Sequence, residues 1–273
     1  MADEVERFPI LRFIREDRSN IELAVAKEFL FTIFLNGQEL ATLLCSPGNL
    51  QYLTVGFLVS EGLLRSKDEI KKIEIDDWLG TAHIEIEGDN KIDGSFFTKR
   101  LITSGCGGAA TFHSLADATT PKVESPMKIS PYEVFALVSE FQRRSRLYLA
   151  THGVHSAALA DRKDIFIFSE DIGRHNAVDK IFGKCLLEDT PTNDRILISS
   201  GRISSEILHK VAKRGIPIIV SISVPTSLGL KTADKLGITL IGSVRGKKMN
   251  VYTNNWRVRA SSSRGGSSTS LKC

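Results

Sequence analysis

The chain has 273 residues, 42% of them hydrophobic, with 36 basic and 32 acidic side chains; it can bury a sizeable core as one large domain or two small ones. Four of the bases (Arg257, Arg259, Arg264 and Lys272) lie in the stretch 257–273, which holds no acid, so 32 cations face 32 anions in the rest. A neutral body argues against general nucleic-acid binding, no apolar run approaches the roughly 20 residues that span a bilayer, and the acidic opening Met1-Ala2-Asp3-Glu4 lacks the apolar stretch of a secretory signal. A cytoplasmic protein with no membrane and no nucleic-acid partner is expected.

Residues 29–35 alternate, with Phe29, Phe31, Ile33 and Leu35 on one face. Asn36-Gly37 supplies a primed turn into a return strand through Ala41, Leu43 and Cys45, which predicts a hairpin. Ser46-Pro47 reads as the N-cap and first-turn proline of a helix running to about residue 64. Strands follow at 70–75 and 82–86, then a Gly/Ser-rich connection over 93–110 containing Ser104-Gly105-Cys106-Gly107-Gly108-Ala109. The stretch 117–130, with Pro121 and Pro126, reads as a linker.

Beyond it, Ser130-Pro131-Tyr132-Glu133 has capping-box spacing, and Val134, Leu137, Val138 and Phe141 share one helical face. A strand pair over 153–160 and 165–168 turns at 161–164, and the next helix carries Val178, Ile181, Phe182 and Cys185 as its buried stripe. From residue 195 the order is strand 195–199, helix 204–214 closed by Gly215, strand 216–223, helix 226–236 closed by Gly237, strand 238–244, and a last strand at 251–253. Apolar strands separated by short helices predict parallel βαβ units. The expected architecture is α/β: an α+β region over 1–130, an α/β layered domain over 131–255, and a Ser/Gly-rich disordered tail over 256–273.

Cysteines stand at 45, 106, 185 and 273. No Cys-x-x-Cys pair exists, so neither a zinc knuckle nor a dithiol motif is readable, and in the cytoplasm the thiols stay mostly reduced. Cys45 and Cys185 fall in apolar patterns and read as core. Cys106 is flanked by glycines that remove hindrance and permit positive φ. Successive N–H groups there can hold a thiolate or an anionic persulfide; a small residue in a tight turn explains the pattern equally well.

Two more constellations carry chemistry. Ser169-Glu170-Asp171-Ile172-Gly173-Arg174-His175-Asn176 joins a buried strand to a helix start. Asp171 there suits a cap, while Arg174, His175 and Asn176 can converge donors on an oxyanion or heterocycle. His152 and His155 lie nearby in sequence, as ligands or as hydrogen-bonded structural residues. Ser243-Val244-Arg245-Gly246-Lys247-Lys248 sets three cations around a glycine at a strand's carboxyl end, and Arg202 adds a fourth cation after the strand 195–199. Such a rim suits a phosphate; a solvated basic turn is the bland alternative. His83-Ile84-Glu85 has half of a zinc deaminase signature, but the Pro-Cys-x-x-Cys half is missing and that reading is rejected.

At these same places the sequence resembles the FdhD family of formate dehydrogenase accessory proteins. The resemblance rests on Ser104-Gly105-Cys106-Gly107-Gly108, on Glu170-Asp171-Ile172-Gly173-Arg174-His175-Asn176-Ala177-Val178-Asp179-Lys180, and on Ser199-Ser200-Gly201-Arg202. Gly215-Ile216-Pro217, Val224-Pro225-Thr226-Ser227-Leu228 and Arg245-Gly246-Lys247-Lys248-Met249-Asn250-Val251-Tyr252-Thr253 follow in family order. The resemblance implies a sulfurtransferase that takes sulfur from a cysteine desulfurase as a persulfide. It passes the sulfur to a molybdenum bis-guanine-dinucleotide cofactor, a bound client for which a guanine nucleotide can substitute, ahead of formate dehydrogenase. It further implies a cytidine deaminase-like fold over 131–255, a homodimer and no metal of its own. The sulfur-bearing cysteine maps onto Cys106, and the cofactor-binding segment onto Ser243, Val244, Arg245, Gly246, Lys247 and Lys248; Arg202 and His175 join it from the residue reading. Many members carry a second cysteine three positions on, where this chain has Ala109, so no intramolecular Cys-x-x-Cys disulfide is open to it. A cofactor-holding chaperone without sulfur chemistry is the alternative.

Overall fold

The computed structural model describes residues 4–87, 100–102, 110–112 and 120–259. Its chain begins with an antiparallel ribbon of β1 (Val5–Ile14) and β2 (Asp17–Ala26), a sheet of its own. Neither strand buries a face, and Pro9 stands within β1 opposite Glu22.

The expected hairpin is β3 (Phe29–Leu35) and β4 (Gln38–Cys45), turned by Asn36 at φ 48° and Gly37 at φ 78°. With β5 (Ile70–Asp76) and β6 (Thr81–Ile86) it makes a sheet of order β4-β3-β6-β5, in which β3 and β6 run parallel. Phe31, Ile33, Leu35, Leu43 and Cys45 point into its core, the alternation seen in the sequence. His83 stacks on Phe34 with ring centroids 4.6 Å apart, a packing role.

Helix α1 (Leu50–Glu61) is where the sequence reading of caps fails. Its N-cap is Asn49 in the left-handed region, with no side-chain cap bond. Ser46 is drawn elsewhere: its hydroxyl accepts from the Ile172 backbone N–H, and its own N–H donates to Asp171 Oδ2 at 3.0 Å. A cap by Ser46 therefore loses to a tertiary partner 126 residues away in sequence. Ten of the twelve α1 residues are buried, Leu50 and Leu53 through Glu61, as expected of a helix enclosed on every side.

Two short strands, β7 (Arg100–Ile102) and β8 (Ala110–Phe112), pair antiparallel with Ile102 opposite Ala110. The sequence between them contains Cys106 and Ala109; both lie outside the described residues, as does the tail from 260.

Residues 120–130, read as a linker, are extended chain packed on the C-terminal half. Val123 is buried, its N–H donates to Leu236 O, and Ile129 bridges to Val258. The reason is Arg257, only 1% exposed, whose guanidinium donates to the carbonyls of Val123, Ser125 and Gly237. Residues 256–259, assigned to the tail from sequence, thus belong to the packed body.

The capping box at Ser130 forms as expected: Ser130 Oγ accepts from Glu133 N, and Glu133 accepts from Ser130 N at 2.7 Å. It starts α2 (Pro131–Arg144), whose Val134, Leu137, Val138 and Phe141 are buried. Helix α3 (Arg146–Thr151) was not legible; the Glu170 carboxylate accepts from Leu147 N and Tyr148 N and so caps it across 22 or more residues.

The large sheet has the order β10-β9-β11-β12-β13-β14, built from β9 (His155–Ala160), β10 (Ile165–Asp171), β11 (Ile196–Ser199), β12 (Ile218–Ser221), β13 (Thr239–Arg245) and β14 (Lys248–Val251). It is mixed rather than wholly parallel. Only β11, β12 and β13 run parallel side by side; β9 is antiparallel to both its neighbours, and β14 to β13. The short connections explain this, since the turns at 161–164 and 246–247 can only reverse the chain. Helices α4 (Arg174–Leu187), α5 (Ser205–Lys213) and α6 (Ser227–Lys235) contribute to one core with one face of the sheet, and α2 to another with the opposite face. Among the described residues no helix is long and apolar enough to cross a membrane.

Candidate functional site

Strand direction decides what can meet. The carboxyl ends of β10, β11, β12 and β13 and the amino ends of β9 and β14 all lie along one edge of the sheet. Along that edge stand Glu170 and Asp171 at the end of β10 with Ile172 to His175 after it, His155 at the start of β9, Ser200 to Arg202 after β11, Ser223 to Thr226 after β12, and the Arg245–Lys248 hairpin. Every site residue assigned from sequence within the described residues is therefore on or beside this rim.

The rim has two parts. At the β9–β11 end, His155 Nδ1 lies 3.4 Å from Ser200 Oγ, which also accepts from Ser156 N. Ser221 Oγ donates to Gly201 O at 2.8 Å, and Gly201 N donates to Ser199 Oγ, so hydroxyls from two parallel strands shape the turn that presents exposed Arg202. Gly201 is required here: a Cβ would sit 2.8 Å from Arg174 Cβ and 2.9 Å from its Cδ. His175 Nε2 stands 3.4 Å from Glu206 Oε2 at the start of α5. Burial, helped by the Arg174 guanidinium, lowers His155 below the ordinary imidazole range. Burial first, then Lys210 and Arg174, holds His175 well below it. Both rings are thus favoured as neutral imidazoles. His152 does something else, closing α3 in the left-handed region and meeting the Tyr148 ring edge-on.

At the other end, β13 and β14 make a hairpin with Gly246 at φ +57° in the turn. Arg245, Gly246, Lys247 and Lys248 are exposed, and Arg245 pairs directly with Lys248. Ser243 is half-buried at φ 54°, where the ladder shifts register. Val244 is 1% exposed in the α2-side core, so only its backbone faces the rim. Arg202 follows β11, two strands from this hairpin, whereas His175, in α4, stands against Glu206 at the start of α5, and Arg174 beside it packs on Gly201. The structure therefore groups His175 with His155, Arg174 and Glu206 rather than with the lysines.

The eleven-residue motif from Glu170 to Lys180 does mainly structural work. Lys180 and Asp171, 1% and 0% exposed, pair at 2.7 Å. Asp171 also accepts from Ser46 N, Gly173 N and Asn176 Nδ2, while Asn176 donates to Leu44 O and Lys180 to Ser46 O. Asp179 pairs with Lys210 at 2.7 Å and accepts from Ser60 of α1. Both networks bolt the N-terminal sheet and its helix to the rim. The sequence reading placed donors for a ligand there; Asn176 is spent inside the protein.

Of the described cysteines, Cys45 and Cys185 are buried. Burial pushes their thiols up to about 12 and about 11, so neither offers a thiolate at neutral pH.

The described residues thus form a mixed α/β fold with a cationic rim along one sheet edge, and the sequence separately carries a glycine-flanked cysteine. The chain is a member of the FdhD/NarQ family, whose model matches residues 26–259. It is 45% identical over 235 residues to the sulfur carrier protein FdhD of Bacillus pumilus, covering 86% of this chain and 90% of that one. Identity to the sulfur carrier protein FdhD of Bacillus subtilis is 41% over 251 residues, covering 92% and 96%. Its fold is similar to the crystal structure of a protein from Desulfotalea psychrophila described as a formate dehydrogenase accessory protein. The TM-score is 0.78 at 25% identity, over 94% of this chain and all of that one.

Proposed function

We propose that this protein is a sulfur carrier in formate dehydrogenase maturation. The carrying observation is its likeness to relatives named sulfur carrier proteins over 90% or more of their length. In this reading the Cys106 thiolate attacks the terminal sulfur of a persulfide on a cysteine desulfurase. The desulfurase cysteine leaves as a thiolate, and Cys106 holds the sulfur as its own persulfide. For unloading as sulfide, an external thiolate attacks the inner sulfur of the Cys106 persulfide, hydrosulfide leaves for the molybdenum bis-guanine-dinucleotide substrate, and a second external thiol reduces the mixed disulfide left on Cys106, because Ala109 supplies no second cysteine. The inertness of Cys45 and Cys185 supports Cys106 as the carrier. Exposed Arg202, Arg245, Lys247 and Lys248 support a phosphate site on the rim, with Ser243, Val244 and Gly246 lending backbone and His175 a neutral ring further along.

A cytoplasmic homodimer belongs to the same reading. So does a cytidine deaminase-like arrangement over 131–255, supported by the order β10-β9-β11-β12-β13 with β9 alone reversed among those five strands.

The test is Cys106→Ala, assayed for formate dehydrogenase activation beside guanine-nucleotide affinity. A sulfur carrier loses activation and keeps binding. Retained activation with retained binding overturns the carrier reading and leaves a cofactor chaperone.

A further inference from the structure

The hairpin cations have a neighbour that the phosphate reading does not use. Residues directly opposite on an antiparallel pair share a face. Arg245 is paired with Lys248 and Gly242 with Asn250, while Met249 and Val251 pack into the α2-side core. Lys248, Asn250 and Tyr252 therefore follow one another along the opposite face. The bulge at Ser243 turns that hydroxyl to within 3.4 Å of the Tyr252 hydroxyl, and Asn250 Nδ2 donates to the same hydroxyl at 3.4 Å. Gly242 makes room for the ring: a Cβ there would stand 3.1 Å from Tyr252 Cε2 and 3.6 Å from Pro225 Cδ. Tyr252 is held at the sheet surface by these hydrogen bonds, yet the residue remains 36% exposed. The ring lies over Gly242, which pairs with Asn250, so it sits about two residues of strand, roughly 7 Å, from Lys248, within the reach of a nucleoside diphosphate from phosphate to base.

We propose that Tyr252 is the nucleobase-stacking residue of this rim: the terminal phosphate of a guanine nucleotide lies on Arg245, Lys247 and Lys248, and its base on the Tyr252 ring. This rests on the reading of the hairpin as a guanine-nucleotide phosphate site. An exposed aromatic fixed by hydrogen bonds loses little freedom on binding, and a π-face accepts any base. Asn250 and Ser243 act as positioning residues that fix the phenol.

The experiment is calorimetric titration of the full-length protein with GDP and, separately, inorganic pyrophosphate. Tyr252→Ala should weaken GDP about fivefold or more and leave pyrophosphate unchanged, while Tyr252→Phe, which keeps the ring and loses only the bonds that fix it, should weaken GDP less than Tyr252→Ala does. Loss of both ligands together in Tyr252→Ala, or of neither, overturns the assignment, as does a parent protein that binds pyrophosphate as tightly as GDP; in that last case the phosphate site stands without a base site. A parent protein that binds neither ligand overturns the hairpin reading itself, and Tyr252 with it.

Discussion

Gly56 of α1 and Gly183 of α4 occupy the point where the two helices touch: a Cβ on Gly56 would lie 1.7 Å from Asp179 O, and one on Gly183 1.9 Å from Tyr52 O. Each hypothetical Cβ also comes within 2.9 Å or less of the other glycine's backbone N. These are backbone clashes that no side-chain rotation relieves, so the helices must separate to admit a methyl group. Gly183→Ala should destabilise by about 1–3 kcal/mol or more, despite the roughly 1 kcal/mol of helix propensity that alanine adds. Urea unfolding checks it; an unchanged midpoint would refute the contact.

The Asp171–Lys180 pair makes a second prediction. Lys180→Met leaves a carboxylate 0% exposed without its counter-ion, a loss of about 3–5 kcal/mol. Part of it should return in Asp171→Asn/Lys180→Met, where no buried charge remains. A single variant within about 1 kcal/mol of the parent would count against the pair as a lock.

The hairpin should behave as an anion site. Lys247→Ala/Lys248→Ala removes two charge-assisted contacts worth about 1.5–3 kcal/mol each, so guanine-nucleotide affinity should fall about a hundredfold or more. Added salt should weaken the parent more than the variant. Equal affinity in both proteins would remove the phosphate reading.

Thiol reactivity separates the cysteines. At pH 8 the folded protein should leave Cys45 and Cys185 unalkylated by iodoacetamide, their thiols being raised to about 12 and about 11 by burial. In denaturant both should react. Peptide mapping that finds Cys185 modified in the native protein would contradict its burial.

The rim histidine predicts a pH dependence of stability. His175 is held well below its ordinary range by burial and by Lys210, Arg174 and His155. The unfolded chain then binds the proton that the folded chain refuses, so stability falls as pH drops below the unfolded histidine value, about 6.5. Unfolding free energy should decrease between pH 7.5 and 5.5, and His175→Gln should reduce that slope. An identical slope in the variant would assign the effect to other groups, His155 first.

Periodicity over local stretches was enough to read β3 and β4, the Ser130 capping box, the stripes of α2 and α4, and the strand–helix alternation after residue 195. Each of these is decided by contacts a few residues apart or by one face turned to a core. The rim residues were legible for a similar reason: polar and glycine clusters at the ends of apolar strands mark loops at a sheet edge. What depended on distant partners was not legible. Ser46 looked like a cap until Asp171 and Ile172 claimed it. Helix α3 owes its start to Glu170, and Arg257 looked like tail until its guanidinium found three carbonyls. Sheet order is of the same kind. The parallel run β11–β12–β13 brings Ser200, Arg202 and the lysine hairpin to one edge, the reversal of β9 adds His155, and the register of β13 with β14 sets Tyr252 beside Ser243. Residue types and spacing constrain local backbone, whereas long-range hydrogen bonds and strand pairing are selected by the whole core at once.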